Sequence, residues 1–261
     1  MNSEEKAKMI IKSLKKLKIH PLEVNCDFYK NMEEKSGSPG SVYFDHTSNK
    51  YQVDFDSNCF EYVIPHEFGY IYLVRWLNYR DICSHGKKRM DADYIEELFS
   101  NFLNCFVDYH ITKHQEFYEL WSSQIYFGYK FNELTKFKNQ FDILIKEKTR
   151  MKVTMNPFML FLNEYLYFLI SSYYILHPND KNEKFQVIES LLDYCEYLLK
   201  TFLPEFNLIE FKRSLKKFNK VKDSKNHSEV LTWMYECMRL IPYCEEKELK
   251  SKFQSYFKFS V

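Results

Sequence analysis

The run His66-Glu67-Phe68-Gly69-Tyr70 holds the residue types in this chain best placed to do chemistry. In the pattern H-E-x-x-H, two imidazoles one helical turn apart clamp Zn²⁺, and the intervening Glu activates the metal-bound water. Here the residue four after His66 is Tyr70, so an imidazole and a phenol share that face. Glu67 stands where the general base would be. Tyrosine ligates as phenolate, and with an ordinary pKa near 10 it replaces imidazole poorly. A three-ligand site therefore needs a donor from elsewhere. One source is His85, in the charged loop Asp81 to Met90.

A second source is the helix that opens at Asp91 and runs to about His114. At about 100° per residue with Glu97 at zero, Asn101 falls at about 40°, Asn104 at about −20° and Asp108 at about 20°. These four polar side chains make a narrow stripe, with Phe99, Phe102, Leu103 and Phe106 on the opposite half. Either Glu97 or Asp108 could face His66, depending on helix rotation. His110 and His114 are another i, i+4 pair, but they fall at about 220° and 260°, away from the stripe.

A hairpin, the run IPHEFGYIYL and a second helix bearing a carboxylate, in that order, resemble the small gluzincin zinc metallopeptidases. Glu97-x-x-Ser100-Asn101 is similar to the E-x-x-A-N segment of ImmA/IrrE-type peptidases, which implies Glu97 as third ligand. Asn104-Cys105-Phe106-Val107-Asp108 is similar to the N-x-x-x-D segment of metallopeptidases encoded beside von Willebrand A-type proteins, which implies Asp108. The resemblance spans about residues 40 to 115 and departs from the family at Tyr70. It implies a zinc site drawn from His66, Tyr70, His85, Glu97 and Asp108, with Glu67 as general base, or the same scaffold with the metal lost.

Periodicity gives the elements that must position these residues. Residues 4–18 read as a basic amphipathic helix with Ile10, Ile11, Leu14 and Leu17 on one side, ended by His20-Pro21. Glu23 to Met32 reads as a strand, followed by the breaker run Glu34 to Gly40. Ser41 to Asp45 and Lys50 to Phe55 flank the turn residues His46-Thr47-Ser48-Asn49 and predict an antiparallel hairpin. The helix carrying His66 starts after Asp56-Ser57-Asn58, or at Pro65, and runs to about Arg80. Further helices are expected over 115–127, 131–149, 156–176, 182–202, 206–220, 227–240 and 245–257. The fold class expected is mainly α (α+β). It comprises a metallopeptidase-like domain over 1–150, with a small N-terminal sheet packed on the His66 helix, and a helical extension over 151–261.

Bulk properties narrow the function. With 37 basic and 36 acidic residues the net charge is +1, which offers no general attraction for nucleic acid. Seven scattered cysteines without a C-x-x-C, behind a charged N-terminus, read as reduced thiols of a cytoplasmic protein. Pro157 to Leu176 is long enough to span a bilayer, but Glu164 near its centre costs about 3 kcal/mol on insertion, so a buried core helix is expected. No phosphate-binding glycine loop or nucleophile elbow is present. The resulting expectation is a degenerate metallopeptidase-like pseudoenzyme, a non-catalytic interaction or regulatory scaffold for a protein or peptide partner. The alternatives are a divergent zinc metallopeptidase hydrolysing peptide bonds and a membrane-associated helical protein.

Overall fold

The computed structural model describes residues 2–32, 38–77, 94–125, 183–202, 204–224, 226–242 and 244–258, with isolated positions between 132 and 169. The chain is mainly helical, with a small N-terminal sheet and a helical second half. It divides into two compact units. One comprises Met1–Ala92, Phe106–Trp121 and Gln254–Val261, the other Asp93–Cys105 and Ser122–Phe253. The expected boundary near 150 lies outside the described residues.

The first unit opens with α1 (Ser3–Lys16). Its start is fixed by a capping box, in which the Asn2 side chain accepts from the Glu5 amide at 2.9 Å and Glu5 accepts from the Asn2 amide at 2.7 Å. Its end is set by Lys18 in the left-handed region at φ 54°, which lets the Ile19 amide reach back to the Leu14 carbonyl at 2.9 Å. Leu14, Leu17 and Ile19 are buried.

Strands β1 (Val24–Tyr29), β2 (Gly40–Asp45) and β3 (Lys50–Asp56) form one sheet in the order β1-β3-β2. The expected hairpin is present: β2 and β3 run antiparallel, with Val42 opposite Val53 and Phe44 opposite Tyr51. Asp45 caps the intervening turn by accepting from the Thr47 amide at 2.9 Å, and Asn49 turns the chain at φ 55°. The hairpin is not isolated, however. The segment read as a strand from 23 to 32 joins β3 in parallel, with Cys26 opposite Val53 and Phe28 opposite Phe55. Period-two alternation then buries Tyr51, Val53 and Phe55 on one face and leaves Gln52 and Asp54 on the other.

α2 (Val63–Leu77) packs on β2 and β3. Pro65 lies in its first turn, where a missing N–H costs no helical bond. Ile64, Phe68, Ile71, Leu73 and Val74 are all buried, and Phe68 meets Phe55 of the sheet with ring centroids 6.2 Å apart. α3 (Tyr94–Ile111) follows, its first residues in the second unit and its last in the first. α4 (Gln115–Ile125) begins after a turn in which the Phe117 and Tyr118 amides donate to the His114 carbonyl.

In the second unit are α5 (Glu183–Phe202), α6 (Leu208–Lys216), α7 (Phe218–Val221), α8 (His227–Met238) and most of α9 (Glu246–Lys258). The single helix expected over 206–220 is broken at Lys217, whose amide bonds the Ser214 carbonyl in a tightened turn. The break lets the Phe218 ring meet Trp233 at a tilt of 42° with centroids 4.9 Å apart, while the Trp233 indole donates to the Ser214 carbonyl at 3.0 Å. Among the described residues no helix is long and apolar enough to cross a membrane. Most of Pro157 to Leu176 lies outside those residues, as do most of 131–149, but Tyr165 and Leu169 are both buried.

Gly69 sets how closely α2 approaches the end of α3. A Cβ there would lie 2.6 Å from Val107 Cγ1 and 3.0 Å from Ile111 Cγ2. Alanine is the better helix former by about 1 kcal/mol, yet forcing two packed helices apart costs about 1–3 kcal/mol. Gly69→Ala is therefore expected to lower the urea midpoint despite improving helix propensity, and an unchanged or raised midpoint would contradict this packing.

Candidate functional site

α2 and α3 meet at a carboxylate. Asp108, on α3, is fully buried. A buried charge without partners is costly, and three side-chain donors reach this one among the described residues. His66 Nδ1, from α2, lies 2.8 Å from Asp108 Oδ1. The Tyr62 hydroxyl, one helical turn before His66, donates to the same oxygen. The Trp121 indole N–H, from α4, donates to Oδ2 at 3.2 Å. An ionised carboxylate only accepts, so the Nδ1 position carries the proton and Nε2 is the imidazole nitrogen left to meet a ligand. Burial alone would depress the His66 pKa. The Asp108 carboxylate, through its charge and its hydrogen bond, with Glu67 adding to it, outweighs that and holds the imidazole above its ordinary range.

Glu67 follows directly on α2 and is 8% exposed. Its carboxyl rests against Gly40 of β2, where a Cβ would come within 2.8 Å of Oε1 and 2.7 Å of Cγ. Only glycine leaves that room, so the breaker run before the hairpin also shapes the site. Burial lifts the Glu67 pKa from 4.5 to about 7, with the neighbouring His66 pulling the other way. The group is thus poised to hold or release a proton near neutrality.

Tyr70 lies one turn beyond His66, its ring edge-on to the imidazole with centroids 5.3 Å apart. His66, Glu67, Tyr70 and Asp108 are therefore brought together. Glu97 also lies on α3, but in the part assigned to the second unit. The Glu97 side chain and all of His85 fall outside the described residues. His110 is packed among aromatic rings, with Phe106 at 4.5 Å and Tyr72 at 5.5 Å. Burial, with Lys16 nearby, depresses the His114 pKa. Six of the seven cysteines are described, and all six are free thiols. Burial pushes Cys59 to about 11 and Cys195 to about 12, so neither is a thiolate at neutral pH.

Sequence reasoning missed Tyr62 and Trp121. Tyr62 sits at i−4 from His66, a spacing that could have marked it as a neighbour on the same helix face. Trp121 is 13 residues from Asp108, across the α3–α4 turn, and no local period connects them. Among the described residues no three His, Cys, Asp or Glu side chains form a group able to hold a metal ion. No protein-family model, no curated protein and no solved structure matches the chain.

Both raised pKa values act on stability in the same direction. The folded protein binds more protons than the unfolded chain between each ordinary value and its folded value, so stability falls as pH rises through that window. For Glu67 the window runs from 4.5 to about 7 and corresponds to about 3 kcal/mol. The His66 contribution is complete below the ordinary imidazole range and is lost at higher pH. Urea unfolding free energy is expected to fall across this interval in the wild type and to fall markedly less in Glu67→Gln. Equal slopes in the two proteins would mean that Glu67 is not held protonated.

Proposed function

We propose that this chain is a degenerate metallopeptidase-like protein whose His66 site engages a protein or peptide partner without cleaving it. The observation that carries the reading is the state of Asp108. Its two oxygens already accept from His66, Tyr62 and Trp121, so it serves to orient the imidazole rather than to complete a ligand set. Position 70 offers a phenol where a second imidazole would be required. The described residues therefore do not fit a three-ligand zinc centre. The groups that remain are an imidazole nitrogen, a largely buried carboxyl near its half-protonation point and a phenol, each able to hydrogen-bond the N–H or C=O groups of a peptide.

One observation favours the alternative of a divergent zinc metallopeptidase. A metal-ligating histidine commonly donates its second nitrogen to a carboxylate, as His66 does to Asp108. Elemental mass spectrometry of the purified, untagged protein separates the two readings when Tyr70→His is analysed beside it. No zinc in the wild type and about one per chain in Tyr70→His is the expected result, since a second imidazole restores the i, i+4 clamp. Stoichiometric zinc in the wild type, lost in His66→Ala, would favour the enzyme. No zinc in either protein would remove the metallopeptidase comparison as a guide.

A further inference from the structure

We infer that Tyr62 and Trp121 are positioning residues that act through Asp108 to lock the neutral form of His66 in one tautomer, so that above the imidazole titration the site presents a lone pair at Nε2 and takes a hydrogen-bond donor from its ligand. This goes beyond the reading above, because it concerns what the imidazole can recognise and holds whether or not a metal ever binds.

Free imidazole can carry its proton on either nitrogen, and only a fixed partner selects between them. Asp108 is that partner, but a carboxylate can turn about its side-chain bonds and offer different oxygens. Three contacts remove this freedom. The Tyr62 hydroxyl and His66 Nδ1 both converge on Oδ1, and the Trp121 indole holds Oδ2 at 3.2 Å. The donors come from three places: the residue just before α2, the first turn of α2 and α4. Rotation of the carboxyl therefore breaks at least one of these bonds, and Asp108 and Trp121 are fully buried, where a lost bond is not replaced by water. The His66 side chain is itself 19% exposed, so the ring is anchored at its buried nitrogen while part of it meets solvent. A donor such as a backbone amide or an ammonium group satisfies Nε2. A carboxylate or carbonyl oxygen cannot bond it until the ring is protonated.

The test is nitrogen NMR on chelator-treated protein carrying ¹⁵N-histidine, recorded above the imidazole titration, with His66 assigned by its loss in His66→Gln. In the wild type, Nδ1 is expected to be protonated and Nε2 bare. Tyr62→Phe removes one hydroxyl and Trp121→Phe one N–H. In the double variant the Nε2–H form is expected to rise roughly fivefold as the carboxylate loses its fixed orientation. Asp108→Asn is expected to reverse the preference, because an amide can donate to Nδ1. A wild-type ring protonated on Nε2 overturns the inference without any variant, so a failure of Trp121→Phe to fold does not protect it. An unchanged tautomer in Tyr62→Phe/Trp121→Phe overturns the positioning role. Metal content and tautomer are separate measurements, so this inference and the functional reading can fail independently.

Discussion

The first unit depends on satisfying one buried negative charge. Moving an unpaired carboxylate out of water costs several kcal/mol even after relaxation, so Asp108 can be buried only if its donors arrive together. Those donors lie on both sides of it in sequence, one on α2, one on the residue just before it and one on α4. The requirement therefore fixes the rotation of α2 and α3 about their own axes and the path of the turn into α4. Apolar packing works to the same end: Phe68 reaches the sheet at Phe55, and glycine at position 69 lets Val107 and Ile111 close in from the other side. Non-directional burial brings the elements together, and the carboxylate selects among the orientations that burial alone would tolerate.

His66 and Glu67 are adjacent in sequence yet differently supported. His66 is bound through a charged partner that favours its protonated form. Glu67 faces the backbone of β2 at Gly40 without a hydrogen bond among the described residues, and desolvation governs it. Both effects keep protons in the site up to near neutrality, by different physical routes. Each group can therefore donate or accept a hydrogen bond according to its protonation.

Elements defined by local period were legible in the sequence. The alternation from Tyr51 to Phe55, the turn residues His46 to Asn49 and the apolar spacing of α1 each carry their signal within a few residues. The parallel pairing of β1 with β3 was not legible, because register across an intervening strand is a tertiary choice. The polar stripe on α3 set Asp108 beside Glu97, Asn101 and Asn104, but a helical period gives only relative angles. Which member faces His66 is set by the packing of two helices, and Asp108 is the one buried without exposure, while Asn101 and Asn104 keep some. The sequence offered Asp108 as a metal ligand. In the fold its oxygens are held by Tyr62, His66 and Trp121, two of which lie outside the motif.

The outer face of the sheet has a consequence of another kind. Asp27 of β1 lies directly opposite Asp54 of β3, and the Gln52 side-chain amide bridges them at 2.8 and 2.7 Å. Like charges facing one another weaken strand pairing. Burial lifts the Asp54 pKa, with the Gln52 bond opposing and Asp27 adding to the rise. β1 and β2 are the edges of this sheet, and a strand edge can recruit a strand from another copy of the chain. Asp27 on one edge and Asp45 at the end of the other place carboxylates where such a strand would have to settle. Asp27 thus weakens its own pairing with β3 and, with Asp45, sets a negative charge on each edge where another strand would have to pair.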